Sequence, residues 1–260
     1  YAALTANTTG HSNVGVGTSS MAANTTGVQN VALGMVTLDS NTTGAYNTAL
    51  GHAALSSATT ASFNVAVGQQ ALYLNTTGAT NTAVGAYALD ANTTGADNTA
   101  VGTHALGANT TASNNTAVGR DALESNTTGY SNAAIGALAL TNSTTGIFNT
   151  ACGKSALGAV TTGGGNTGLG YAALYLATTG GNNTGLGRGA GAAVTTASHN
   201  VMIGARGGDG VTTGAANVLI GYESGSYGTV LTTGASNTLV GAYNNTTSAS
   251  TAEASALGYN

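Results

Sequence analysis

One asparagine recurs every 17 residues along this chain, at 13, 30, 47, 64, 81, 98, 115, 132, 149, 166, 183, 200 and 217, and again at Asn237 after a three-residue insertion around Ser226 to Val230. A fixed period of this kind marks an array of like units, each of which buries its apolar side chains only against its neighbours. Numbered from that asparagine, the unit reads N-T-A-V-G-x-x-A-L-x-x-N-T-T-G-x-x, and residues 81–97 match it throughout.

Several positions do not vary in type. The fifth is Gly in all fifteen copies, from Gly17 to Gly258, as expected where φ is positive or another segment passes too close for a Cβ. The fourth is always apolar, as in Val16, Leu50, Ile135, Cys152 and Val240, and reads as a core stripe. The second is mostly β-branched (Val14, Thr82, Val201), so positions two and four predict a short strand with both side chains on one face. The third, Ala or Gly through Gly185, then points the other way, into a second close contact. Position nine supplies Leu in ten copies, and the Thr-Thr-Gly step predicts a second short extended piece and a corner.

Seventeen residues with two short strands and two Gly corners predict one coil of an all-β fold, a parallel β-solenoid of about fifteen coils. Helical repeats are longer and are broken by such frequent Gly. The regular array runs over 1–225, a repeat with the insertion over 226–241 and an irregular terminal repeat over 242–260. Coils about 4.8 Å apart would make a rod of roughly 70 Å, with like residues above like and the first-position Asn forming a ladder of amides. After about residue 158 the unit changes. The twelfth-position Asn becomes Val160, Ala177, Val194, Val211 or Leu231, and Leu at position nine becomes Gly191, Gly208 or Gly225. Position three grows to Met202, Leu219 and Leu239, so volume lost at one place is partly regained at another.

Composition agrees with an array and excludes other classes. Only 5% of residues are charged and there is no Pro, which argues against disorder, and no apolar run reaches the ~18 residues of a membrane span. With four Lys and Arg and a net charge of −4, the chain has little with which to hold nucleic acid. Every charged residue and every His falls at positions six, seven, ten, sixteen or seventeen, and the aromatics do the same apart from Tyr227 in the insertion. Such segregation predicts a dry interior and two variable edges.

The run Asn-Thr-Ala-Val-Gly at 81–85 and 98–102 resembles the head repeats of trimeric autotransporter adhesins of the YadA type, and the unit beginning Asn47-Thr48-Ala49-Leu50-Gly51 is similar to repeats of bacterial and phage tail-fibre-domain proteins. The resemblance implies a left-handed parallel β-roll, often homotrimeric, in an exposed fibre or adhesin. Position three would then lie between protomers. The unit is longer than the usual adhesin-head repeat, and the segment shows no coiled-coil stalk, membrane barrel or self-cleaving domain.

Catalysis finds no assembled set of groups, so no enzyme, cofactor or metal is expected. His11, His52, His104 and His199 lie on different coils; Arg120 and Asp121, with Glu124 nearby, read as a surface ion pair; and Cys152 reads as a buried inert thiol. Gly185-Leu186-Gly187-Arg188-Gly189 imitates a phosphate loop without its strand, helix and Lys. Five Asp in all are too few for a calcium-binding β-roll. Asn7, Asn24, Asn41, Asn75, Asn92, Asn109, Asn126 and Asn142 each begin an N-x-[ST] sequon, a candidate row of glycosylation sites along one edge in a secreted protein of a suitable organism, whereas in a bacterial protein Asn-Thr-Thr is better read as turn sequence.

These features predict a structural or adhesive extracellular or virion-fibre segment that assembles with itself, with surface glycans or a host receptor as possible partners and neither nucleic acid nor membrane insertion. Tyr1 stands at position six and Asn260 at position seven, so two part-coils would complete one coil at a head-to-tail junction. Two other functions compete: ice binding by stacked Thr, and glycan binding at a fibre tip through edge aromatics such as Tyr171 and Tyr175.

Overall fold

The computed structural model of the chain describes residues 2–228 and 230–258. The chain forms two compact units, 1–130 and 131–260, each a parallel β-solenoid. The first carries β1 (Val14–Val16), β2 (Val31–Leu33), β3 (Thr48–Leu50), β4 (Val65–Val67), β5 (Thr82–Val84), β6 (Thr99–Val101) and β7 (Thr116–Val118). The second carries β8 (Ala133–Ile135), β9 (Thr150–Cys152), β10 (Thr167–Leu169), β11 (Thr184–Leu186), β12 (Val201–Ile203), β13 (Val218–Ile220), β14 (Thr238–Val240) and β15 (Ser255–Leu257). No helix occurs among the described residues.

Within each unit, successive strands pair in parallel and like stands beside like. Val14 faces Val31 and Val84 faces Val101 in the first unit; Thr150 faces Thr167 in the second. The insertion leaves this register intact, because Val218 pairs with Thr238 and the extra residues leave as a loop closed by the Leu231 N–H donating to the Gly225 carbonyl at 3.0 Å. Tyr1, Thr229 and Asn260, on which part of the insertion and the head-to-tail expectation fall, lie outside the described residues.

The strand faces the opposite way from the sequence expectation. Position three is the buried one: Ala32, Ala49, Ala66, Ala83, Ala100 and Ala117 are fully buried, whereas Val84 is 36% and Ile135 47% exposed. Positions two and four therefore form the outer surface of the strand, and position three does not lie between protomers but inside the coil. The reason is size. Leu89 and its equivalents at position nine fill the interior from the opposite wall, leaving room for no more than a methyl group on the strand. The second unit shows the reciprocal case. Met202 is fully buried where position nine is Gly, and a Cβ added at Gly191 or Gly208 would lie 2.7 Å from atoms of the Met202 side chain. One wall gives up volume as the other takes it.

The expected second strand is also absent. The amides of Thr93 and Thr94 both reach the Thr110 carbonyl of the next coil, at 2.8 and 3.4 Å, so Thr-Thr-Gly is a bend with its N–H groups gathered on one acceptor. The Thr93 hydroxyl donates to that same carbonyl at 3.0 Å.

One side of the interior is polar and is closed by an amide ladder at position one in both units and by a second ladder in the first unit. In the position-one ladder, Asn98 Nδ2 donates to Asn81 Oδ1 at 3.1 Å and to the Ala112 carbonyl at 2.9 Å, while the Asn98 backbone N–H donates to the same Asn81 Oδ1 at 3.0 Å. A fully buried amide is tolerated because its donors and acceptor are used. In the second, at position twelve, Asn92 Nδ2 bridges Asn75 Oδ1 (2.8 Å) and the Gly95 carbonyl (3.0 Å). This second ladder breaks where Ala58 replaces Asn, and Asn41 Oδ1 is left buried without a partner. Restoring it with Ala58→Asn is expected to stabilise the protein by about 1 kcal/mol, the worth of one satisfied buried hydrogen bond. Urea unfolding of the variant checks this, and a lower midpoint would contradict it.

Candidate functional surfaces

The backbone of each coil is held by residues in unusual conformations, which fix where the edges stand. Gly at position five has φ between +114° and +139°, and Tyr87, Leu89 and Asp97 of one coil have φ of 57°, 54° and 57°. Left-handed non-Gly residues persist only where surrounding structure over-determines them, here through the coils on either side. This geometry turns positions six, seven, ten and seventeen outward. His11, His52, His104 and His199 are all exposed on separate coils, and no group of three His, Cys, Asp or Glu suited to a metal occurs among the described residues.

Three titratable side chains do meet at one groove in the first unit. Asp90 and Glu124 occupy position ten two coils apart with Gly107 between them, and the missing side chain opens a groove of about 490 Å³ lined also by His104, Ala108 and Ser125. His104 stacks on Tyr87 with ring centroids 5.2 Å apart. Arg120 pairs with the adjacent Asp121, as the sequence suggested, and stays exposed. Partial burial raises the Asp90 carboxyl above its ordinary value, an effect only partly offset by nearby backbone N–H groups and by His104. A raised folded-state value means that the folded protein holds this proton more tightly than the unfolded chain, so the contribution to stability is present at low pH and is lost as pH rises through the titration. Asp90→Asn is thus expected to raise Tm at neutral pH and to leave it unchanged well below 3.8. Melting curves at the two pH values test this; an equal gain at both would contradict it.

In the second unit Arg206 joins two coils. Its Nε donates to Asp209 at 2.7 Å and its Nη1 to Glu223 at 2.7 Å, and the hydrogen bond to Asp209 is the main cause that raises the Arg206 value. Among the described residues Glu223 is the one acidic residue that is buried, which its position in the repeat did not reveal.

Two sequence expectations change at this level. Cys152 is exposed, because position four faces outward; it is not a core thiol. The sequon residues Asn24, Asn41, Asn75, Asn92, Asn109 and Asn126 are fully buried, and the Nδ2 that a glycan would occupy donates to a carbonyl three residues on. The folded coil has no room for sugar there. Asn7 and Asn142 are exposed and leave that chemistry sterically open. Gly187 of the phosphate-loop imitation is a repeat corner, with a Cβ position 2.7 Å from the Gly204 backbone, and so makes no anion cradle.

Of two rows on the surface, the stacked Thr was expected from the sequence, with one Thr of each pair facing out, and the apolar outer strand face was not. Fourteenth-position Thr43, Thr60, Thr77, Thr94, Thr111 and Thr128 are exposed in single file, while their thirteenth-position neighbours are tied to the next coil. The outer strand face carries positions two and four without a single charge. Edge aromatics stack along the coil direction, as Tyr46 on Phe63 with centroids 4.8 Å apart and planes 5° from parallel, so those rings cover each other's faces. No protein-family model, curated protein or solved structure matches the chain.

Proposed function

We propose that the chain is a structural segment of an extracellular or virion-surface fibre, a rigid repeat that assembles with other copies. The observation that carries this reading is the direction of its hydrogen bonds. Strand pairing, the Thr bend and the first-position Asn ladder link one coil to the next in both units, and the second Asn ladder adds to them in the first, so within each unit the polar groups are spent on resisting separation of the coils. Four Lys and Arg in all also leave trypsin-like proteases few places to cut, which suits an exposed element. Antibody against the purified chain, applied with gold label to intact native material, tests the reading: label along surface filaments is expected, and label confined to the cell interior would overturn it.

A second reading, ice binding, has one observation in its favour, the file of exposed Thr in the first unit. A single file offers water a line and not a plane. Thermal hysteresis of the purified protein separates the two functions: none is expected for a fibre segment, and a clear freezing gap that is lost in Thr77→Lys/Thr94→Lys would establish the alternative.

A further inference from the structure

We propose that the outward strand face, positions two and four of the coils, is where a second copy of this chain docks face to face. This rests on the fibre reading and names the surface its assembly would use. Position four is Val, Leu, Ile or Cys in all fifteen strands although it faces outward, with Val84 at 36%, Leu186 at 42% and Ile135 at 47% exposure. Folding does not require this. The interior is filled from positions three, eight and nine, and position two of the same face accepts Thr in Thr82, Thr99 and Thr116. An aliphatic residue kept on the surface at every coil marks a contact region, since single exposed apolar residues are ordinary but a continuous row is not.

The pattern also says what covers it. The row repeats at the coil spacing, about 4.8 Å, so a partner of any other period drifts out of step within a few coils, whereas a second copy keeps its ridges in the same grooves throughout. The face carries no charge, and the −4 net charge resides at the edges, so two like-charged copies meet there without opposing charges to desolvate. Each three-residue strand covers about 50 Å², so the seven strands of the first unit cover about 350 Å² per partner and the eight of the second about 400 Å², each a substantial part of the ~800 Å² of a standard stable interface. Pairing of this kind is therefore cumulative, and within each unit it grows with the number of coils engaged.

Sedimentation of the purified full chain over a range of concentrations tests the proposal, with Cys152, in the same row, as an internal reporter through its rate of alkylation by N-ethylmaleimide. The expected result is a wild-type dimer with Cys152 alkylated at least tenfold more slowly than at monomer concentrations. Val84→Lys/Val101→Lys should be monomeric with native circular dichroism, and Thr103→Lys, which adds charge at an edge, should remain dimeric. A wild-type chain that stays monomeric, or an assembly in which Cys152 reacts at its monomer rate, overturns the proposal even where the Lys variant fails to fold. Self-association that survives the double-Lys variant in native form overturns the face but leaves the fibre reading standing, and surface labelling decides that reading separately.

Discussion

Replacing Gly102 by Ala is expected to cost about 3 kcal/mol or more. Gly102 holds φ at +134°, and its added Cβ would lie 2.6 Å from both the carbonyl carbon and oxygen of Gly119. Left-handed strain alone is worth about 1–3 kcal/mol, and backbone in the adjacent coil cannot retreat without breaking its own pairing. Gly107→Ala is the matching control. There φ is not positive and the nearest neighbour of the added Cβ is the His104 carbonyl at 3.3 Å, so a change within about 1 kcal/mol is expected. Equilibrium unfolding in urea measures both, and comparable midpoints for the two variants would show that the corner is not the constraint described here.

Leu106→Ala is the second large effect, with a loss of about 3 kcal/mol expected from a fully buried leucine. Val84→Thr, on the outer face, should change stability by less than about 1 kcal/mol because much of its surface is already in water. The contrast in cost reports directly which way the strand faces. If position four were the core stripe and position nine the surface, the order would reverse. Coupling adds a finer check: Ala100→Met should be strongly destabilising alone, and part of the loss should be recovered with Leu89→Gly and Leu106→Gly, which reproduce the surroundings of Met202 between Gly191 and Gly208.

The sequence made the coil legible because stacking imposes its constraints at the same place in every repeat. Asn81, Gly85 and Leu89 each recur with the coil, and all three are where the structure needs an amide rung, a close backbone approach and an interior side chain. The facing of the strand was misread because period-two alternation says only that Thr82 and Val84 share a side, not which side is wet, and the larger apolar residue was assigned to the interior. A signal that could have settled it was present. Gly191 and Gly208 appear where Met202 does, and such volume exchange links positions three and nine across one core. The sequons were ambiguous for a different reason: Asn-Thr-Thr suits an exposed turn and a buried amide ladder equally, and only the second ladder through Asn75 and Asn92 distinguishes them. The groove at Gly107 was not visible because it arises from a side chain missing between two others, Asp90 and Glu124, that lie far apart in sequence.

Nitroxide labels at positions 84 and 101 test the stacking itself. In a Cys152→Val background, V84C/V101C labels sit on facing residues of paired strands and both point outward. At a spacing of about 4.8 Å the two spins couple strongly, so the electron paramagnetic resonance spectrum should be broadened far beyond that of either single-label variant. The three-line spectrum of isolated labels, unchanged from either single-label variant, would contradict the in-register coil.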